Sequence, residues 1–334
     1  MAIRIRDLVI DPPLLLAPMA GLTHSALRRL ILRFGGVGLL STEMLSAIRV
    51  PQENPRLSPF LFRREEERPL SYQLLLSRLA DAAPAVAALH GFGADAIDLN
   101  LGCPAPAIRR LGAGSRLMEN PGLLRELVAK VRKLTSLPLT AKIRLGENLS
   151  ETALKNLCLM LAGEGIDLIT VHARLRGESF SRKPRWSWIA KVKSWVKVPV
   201  VANGGIFSSA DAARCLEASG ADGLMLGRGA VIRPWLFAEI ARNIYRWDLA
   251  LPEVRPAEVY QEFAELLVDS FLPERRLGRL KEFTHYFARN YPFGHRLTSL
   301  VQSCGSLEQG LERAQLFFAR NEAGEERGAA GADQ

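Results

Sequence analysis

Short runs of apolar and β-branched residues recur along roughly the first 230 positions, separated by longer stretches with apolar residues at helical spacing. Eight such runs stand out: Leu14–Met19, Gly38–Glu43, Leu70–Leu75, Ala96–Asn100, Pro138–Ile143, Leu168–His172, Pro199–Asn203 and Gly223–Leu226. Between them Thr23–Phe34, Leu79–His90, Pro121–Leu134, Glu151–Glu164 and Ser208–Ser219 read as amphipathic helices. Alternating strands and helices pair in parallel through right-handed crossovers, and eight such units have the count and size of a (β/α)8 TIM barrel. An open doubly wound sheet is the alternative, weakened by the lack of a GxGxxG turn after the first strand. The expected fold is therefore α/β: a barrel over residues 1–245, followed by a small all-helical domain over 255–320. Leu251-Pro252 and Arg255-Pro256 mark the linker, and 256–271, 274–290 and 306–320 read as helices. The Gly/Ala/Glu-rich segment 321–334 reads as a disordered tail.

Composition narrows the class without naming a function. The 334 residues are 48% hydrophobic and 24% charged, a globular profile, and no apolar stretch approaches the ~18 residues that span a bilayer. Asp11-Pro12-Pro13 interrupts the apolar N-terminal stretch, so no signal peptide is read there. Cys103, Cys158, Cys215 and Cys304 lack metal-ligand spacing, which argues against a disulfide framework and a zinc site and favours a reducing cytoplasm. Neither a metal nor a membrane is expected, and the chain is read as a monomer.

Charge changes the picture by its distribution. The net charge is +9, and residues 174–197 hold eight Lys/Arg against Glu178 alone, whereas 255–320 is nearly balanced, nine to eight. A local surplus of this kind suits a phosphate backbone, with a solvated basic face as the plain alternative.

Active sites of such barrels lie at the C-terminal ends of the strands, where this sequence places polar or special residues almost every time. They are Pro18, Met19 and Ala20; Glu43; Gln73; Asn100 and Cys103; Lys142 and Arg144; His172 and Arg174; Asn203, Gly204 and Gly205; Gly227 and Arg228. Glycine-rich loops after the seventh and eighth strands, with Arg228, suit a phosphate, because glycine lets backbone N–H groups approach an anion. Lys142 can hold an anionic flavin edge or a phosphate, and the Gln73 amide can donate and accept at a flavin edge. Cys103 stands in NLGCP, on a turn set by Gly102 and Pro104, ahead of a stretch carrying Arg109, Arg110 and Arg116 that resembles a basic lid. Taken singly, each has a bland reading: tight turns, a strand-end lysine, a packed histidine, an inert cysteine.

Together these segments resemble a known family. APMAGLTHSALRR, STEM at 41–44, DLNLGCP, AGSRLMENP, TAKIRLG, TVHAR, VVANGGI and GLMLGRGAVIRPWLF follow the order seen in tRNA-dihydrouridine synthases, over about residues 10–240. The helical segment around LKEFTHYFARNYPFG stands where that family has an RNA-binding domain. The resemblance implies FMN-dependent reduction of the C5=C6 bond of particular tRNA uridines, with NADPH as electron donor. It makes Cys103 the general acid, places Pro18, Met19, Ala20, Gln73, Lys142, His172, Asn203, Gly204, Gly205, Gly227 and Arg228 around FMN, and puts Asn100, Glu43, Arg144 and Arg174 near the substrate. Three positions depart from the family pattern: Leu76 near a usual glycine, NGG in place of NGD or NGE, and Leu175 in place of a common threonine. A flavin-dependent dehydrogenase of a free pyrimidine and a non-catalytic RNA binder on a retained barrel are the competing readings.

Overall fold

The computed structural model describes residues 2–250 and 253–330, the last of these (322–330) as backbone only. A short antiparallel pair, β1 (Ile3–Ile5) and β2 (Leu8–Ile10), precedes eight parallel strands. These are β3 (Leu14–Leu16), β4 (Leu40–Ser46), β5 (Leu70–Leu75), β6 (Ala96–Asn100), β7 (Leu139–Arg144), β8 (Leu168–His172), β9 (Val200–Asn203) and β10 (Gly223–Leu226). The sheet runs β3-β10-β9-β8-β7-β6-β5-β4. A Leu15–Leu39 bridge closes the ring, with the Leu16 N–H donating to the Leu39 carbonyl at 2.9 Å. The TIM barrel read from the hydrophobic pattern is the fold observed.

Alternation along each strand divides its residues between two environments. In β7, Leu139, Ala141 and Ile143 pack outward under the helices, so Thr140, Lys142 and Arg144 face the interior. In β6, Ile97 and Leu99 face outward, and Ala96, Asp98 and Asn100 inward. The N-terminal ends of the strands are filled differently. There Ile3, Ile5 and Ile10 of the hairpin join Leu15, Ala17, Leu39, Leu168, Val201 and Met225 in a separate apolar cluster that plugs the barrel. The three-residue strands of this hairpin are too short to show a period, and the hydrophobic pattern does not announce them.

The outer ring comprises Ser25–Phe34, Ala82–Gly91, Pro121–Leu134, Glu151–Gly163, Trp186–Trp195, Ser209–Ser219 and Leu236–Asn243. Asn120, Ser150 and Ser208 cap three of these helices, each side-chain oxygen accepting from the backbone N–H three residues on.

Beyond the linker lie the helices Pro256–Ser270, Pro273–Phe287, Gly294–Gln302 and Leu307–Ala330. The segment read as helix over 274–290 is Pro273–Phe287 continued by a 3-10 turn, Ala288–Asn290. The chain then turns through Tyr291-Pro292, since proline cannot continue a helix, into Gly294–Gln302, which the pattern did not announce. The last helix runs on through 321–330, where disorder was expected; Ala, Glu and Arg are strong helix formers. Residues 331–334 and the Leu251-Pro252 linker signal lie outside the described residues.

This helical region packs directly on the barrel. Its aromatic core (Tyr260, Phe263, Phe283, Phe287) is continuous with the barrel's outer core. His24 meets the Phe271 ring edge-on at 4.8 Å, and Trp235 sits between Phe34 and Phe287. Arg29 and Arg64 pair with Asp269, and Arg33 pairs with Glu262. At the barrel mouth, Arg279 donates to the Gly21 carbonyl at 2.9 Å and Asn290 to the Ile232 carbonyl at 2.6 Å.

Candidate active site

A pocket of about 290 Å³ opens at the C-terminal ends of the strands. Its walls include every candidate from the sequence except Glu43. Pro18–Ala20 form one side, Gln73, Asn100 and Cys103 a second, Lys142, Arg144, His172 and Arg174 a third, and Asn203–Gly205 with Gly227 and Arg228 a fourth.

The position of Glu43 follows from a local irregularity. Register between β4 and β5 shifts between Ser41 and Met44, and Met44, the next residue, lines the pocket in its place. Buried, Glu43 accepts the Gly21 N–H at 2.6 Å through Oε2. Burial raises its pKa, opposed by the Gly21 N–H and by Arg279 and Arg28. Its contact is with the loop after β3, which Arg279 grips from the other side.

Polar side chains at and beneath the pocket floor are joined in a row. The Thr140 hydroxyl donates to Asp98 Oδ1 at 2.5 Å, and Gln73 Nε2 donates to Asp98 Oδ2 at 2.6 Å. Asn100 Nδ2 donates to Gln73 Oε1 at 2.7 Å, and Asn100 Oδ1 accepts the backbone N–H groups of Gly102 (3.2 Å) and Cys103 (3.0 Å). All four side chains are buried. Asp98 was not among the sequence candidates, although its place two residues before Asn100 on a short strand puts both on the inward face.

Cys103 is half-buried and faces the pocket. Behind it the Ser115 N–H donates to the Cys103 carbonyl at 3.1 Å. Gly114 has φ +61°, and a Cβ there would lie 2.8 Å from that carbonyl oxygen, so the loop can seat against Cys103 only with glycine at this position. Arg109 and Arg116 of the lid-like stretch both pair with Glu119, and Arg110 has no ion pair among the described residues. The other cysteines are buried, with Cys158 and Cys215 thiols pushed up to about 12 by burial.

Cations crowd the opposite wall. Burial, then Arg144, lowers the Lys142 pKa to about 8 against the attraction of Asp98; its ammonium has no hydrogen-bond or ion-pair partner among the described residues. Burial drives the His172 pKa far down, and Lys142, Arg144, Arg174 and Arg228 add to the effect, so the ring is neutral. Arg174 Nη1 lies 3.1 Å from His172 Nε2; a guanidinium only donates, so Nε2 accepts and Nδ1 carries the proton. Arg144 also donates to the Leu175 carbonyl at 3.0 Å, and Arg174 to the carbonyls of Phe180 and Arg182, bracing the loop after β8. Gly204 (φ +108°) lies so close to His172 that a Cβ would come within 2.7 Å of the ring.

Among the lining residues outside the sequence candidates, Phe180, Phe207, Glu282 and Tyr286 bear most on the chemistry. Phe180 is half-exposed, stacks 6.0 Å from His172 and carries the Arg228 guanidinium 4.5 Å above its ring. Phe207 follows the β9 loop, and Glu282 and Tyr286 come from the helical region. The i,i+4 spacing of the last two marks a helix face, but only the docking of that helix shows what the face meets.

The basic stretch 174–197 is less available than its count suggested. Arg174 is buried, Arg176 pairs with Glu147, Arg185 makes two 2.5 Å bonds to Glu178, Lys191 pairs with Glu151 and Lys193 with Asp222. Those partners lie in other parts of the sequence, apart from Glu178. In the helical region the balance hides a separation. Glu262 and Asp269 are paired with barrel arginines, whereas Arg275, Arg276, Arg279, Lys281, Arg289 and Arg296 form no ion pair among the described residues.

Among the described residues, no helix is long and apolar enough to cross a membrane. Among solved structures, 2-naphthoyl-CoA reductase in complex with 2-naphthoyl-CoA matches 72% of this chain with a TM-score of 0.57 and 10% identity. Histamine dehydrogenase from Rhizobium sp. 4-9 matches 79% with a TM-score of 0.54 and 13% identity. The chain spans about half the length of each, and the likeness is one of fold. By sequence, a probable tRNA-dihydrouridine synthase 1 of Synechocystis sp. is 31% identical, over 93% of this chain and 87% of the relative. A tRNA-dihydrouridine(16) synthase of Aquipseudomonas alcaligenes is 36% identical, over 89% of this chain and 98% of the relative. The model of the dihydrouridine synthase (Dus) family matches residues 15–309, and the chain belongs to that family.

Proposed function

We propose that the chain reduces the C5=C6 bond of specific uridines in tRNA, with FMN bound in the barrel mouth, NADPH as reductant and Cys103 as general acid. The observation that carries this reading is the pairing, across one pocket, of the Cys103 thiol with the half-buried Lys142 ammonium, which has no partner among the described residues. A cation without a partner in the protein calls for an anionic one. The glycine-lined wall at Gly204, Gly205 and Gly227, with Arg228 beside it, gives a second anion a place. The residues therefore fit FMN, with its phosphate at one end and an isoalloxazine edge that gathers negative charge at the other.

Lys142, Gln73, neutral His172 and the backbone of Pro18, Met19 and Ala20 would hold the ring system. Asn203, Gly204, Gly205, Gly227 and Arg228 would hold the phosphate. Bound there, FMN would supply hydride for C6 of the uracil. Cys103 keeps its S–H until then and gives the proton to C5. Asn100, held by Gln73 on one side and the Cys103 turn on the other, orients the uracil, with Arg144 beside it. Arg174 acts by bracing the loop that carries Phe180. Glu43 serves the substrate side through the Gly21 loop.

The target uridine must leave its stack to reach the pocket. Tyr286 and Glu282 bring the helical region to the pocket rim, and its unpaired arginines extend the basic surface from there. We assign the tRNA grip chiefly to this face, with Lys183 and Lys197 as lesser contributors. That contribution weakens with salt and carries little sequence information. A monomer working in the cytoplasm, without a metal, completes the reading.

The test is direct. Purified protein should be yellow and release FMN on denaturation, and with NADPH it should form dihydrouridine in tRNA that lacks the modification. Mapping the product shows which uridine is reduced. Colourless protein that takes up no added FMN, or holoenzyme that leaves such tRNA unchanged, overturns the proposal.

A further inference from the structure

Asp98 stands at the closed end of the polar row beneath the pocket, and nothing about the reaction as described requires it. Its two oxygens take one bond each, from Thr140 at 2.5 Å and from Gln73 at 2.6 Å. It lies on the same inward face of β6 as Asn100, one layer deeper, opposite Gln73 on β5 and Thr140 on β7. At that depth it lines no part of the pocket.

We propose that Asp98 is a positioning residue: by anchoring the Gln73 amide it sets Asn100, and through Asn100 the backbone turn that presents Cys103. The reason lies in what each member of the row can donate and accept. Both Asp98 oxygens act as acceptors, one for Thr140 and one for Gln73, so Gln73 turns its NH2 toward Asp98. Gln73 Oε1 is then left to accept Asn100 Nδ2, and Asn100 Oδ1 is left for the N–H groups of Gly102 and Cys103. Without an acceptor at position 98, the Gln73 NH2 is buried with no partner, and the amide gains by rotating toward the pocket. That rotation withdraws the acceptor from Asn100. Asn100 then has no fixed orientation, and the Cys103 turn loses its two side-chain contacts. Bonds to a charged acceptor are the stronger kind, so the anchor belongs at the end farthest from solvent.

The experiment compares Asp98→Leu, which fills the space without an acceptor, with Asp98→Asn, which keeps an oxygen for Gln73 and can give its NH2 to the Thr140 hydroxyl. The first readout is iodoacetamide alkylation of Cys103 in FMN-free protein, where the other three cysteines are buried. Losing one buried charge-assisted anchor should speed alkylation by about tenfold in the Leu variant, with the Asn variant within about twofold of the parent protein. FMN affinity should fall about tenfold in the Leu variant, because Gln73 is displaced. In a Gln73→Ala background, Asp98→Leu should change neither readout further, since the two residues act in series. Alkylation at the parent rate in Asp98→Leu overturns the proposal, as does an Asn variant disturbed as much as the Leu variant, or an undiminished effect in the Gln73→Ala background. Should the Leu variant not be soluble, Thr140→Val, which takes one donor from the carboxylate, decides the matter. Alkylation faster by about twofold to threefold supports the assignment, and an unchanged rate overturns it. The FMN half rests on the function proposed above; the alkylation half does not, so failure of the parent protein to bind FMN tells against that function and leaves this assignment to be judged on the thiol.

Discussion

The two ends of the barrel interior hold opposite chemistry. At the N-terminal ends, Ile3, Ile5 and Ile10 of the hairpin close over Leu15, Leu168 and Val201. At the C-terminal ends, the inward positions of β5 to β8 carry Gln73, Asp98, Asn100, Thr140, Lys142, Arg144 and His172, all on strands whose outward faces are apolar. One end is a core that favours folding. The other gathers polar and charged groups away from water, which is costly unless each finds a partner. The Thr140–Asp98–Gln73–Asn100 row provides partners for its own members. Lys142 has none among the described residues, and the proposed function gives it one in an anionic ligand.

Cutting the chemistry at the upper end should have the largest effect. Cys103→Ala should lower dihydrouridine formation by about 10²- to 10⁴-fold, read by nucleoside analysis of digested tRNA, with FMN content and melting temperature unchanged. The lower end should respond in the opposite sense. Leu15→Ala should cost about 2–5 kcal/mol in denaturant unfolding while leaving kcat of the folded fraction intact. If it lowered kcat instead, the two ends would not be separable.

Lys142→Met sharpens the contrast through pH. The Lys142 pKa is lowered in the folded protein from 10.5 to about 8, so the unfolded chain binds the extra proton between those values. Stability of FMN-free protein therefore carries the full penalty below about pH 8 and is relieved as pH rises toward 10.5. FMN-free Lys142→Met should melt several degrees higher at pH 7, with the gain fading toward pH 10, and should bind FMN poorly at every pH. FMN affinity of the parent protein should fall as pH passes about 8, where the ammonium loses its proton. The smallest effect belongs to the rim. Lys183→Glu should raise KM for tRNA by about twofold to fivefold at low salt and less at high salt. Arg185→Glu should instead lower the melting temperature, because it breaks the two-bond pairing with Glu178.

Much of this architecture is legible in the order of residues alone. Eight apolar runs at barrel spacing became β3 to β10, because a strand buried on both faces needs an apolar outer row whatever lies inside. The site was legible for the same reason, since polar residues at the ends of such strands have nowhere to point but the mouth. Glu43 shows the limit. Its strand continues to Ser46 through a register shift, and a one-residue change of register moves a side chain to the other face. The surplus over 174–197 shows another limit: Lys191 meets Glu151 and Lys193 meets Asp222 across the helix ring, and a count along the chain cannot subtract partners from elsewhere.

The sequence by itself determined what local periodicity and residue chemistry can encode: the barrel, the helical region after it, and the Cys, Lys, His and Gly positions around one mouth. Only the tertiary structure decided which of these residues were already committed to one another. It joined Asp98 to Cys103 through two amides, brought Glu282 and Tyr286 to a pocket far from them in the chain, and paired Glu262 and Asp269 of the helical region with barrel arginines. Hydrogen bonds and ion pairs act over a few ångströms of space, and in a closed barrel neighbours at that distance are set by strand register and helix docking rather than by order along the chain.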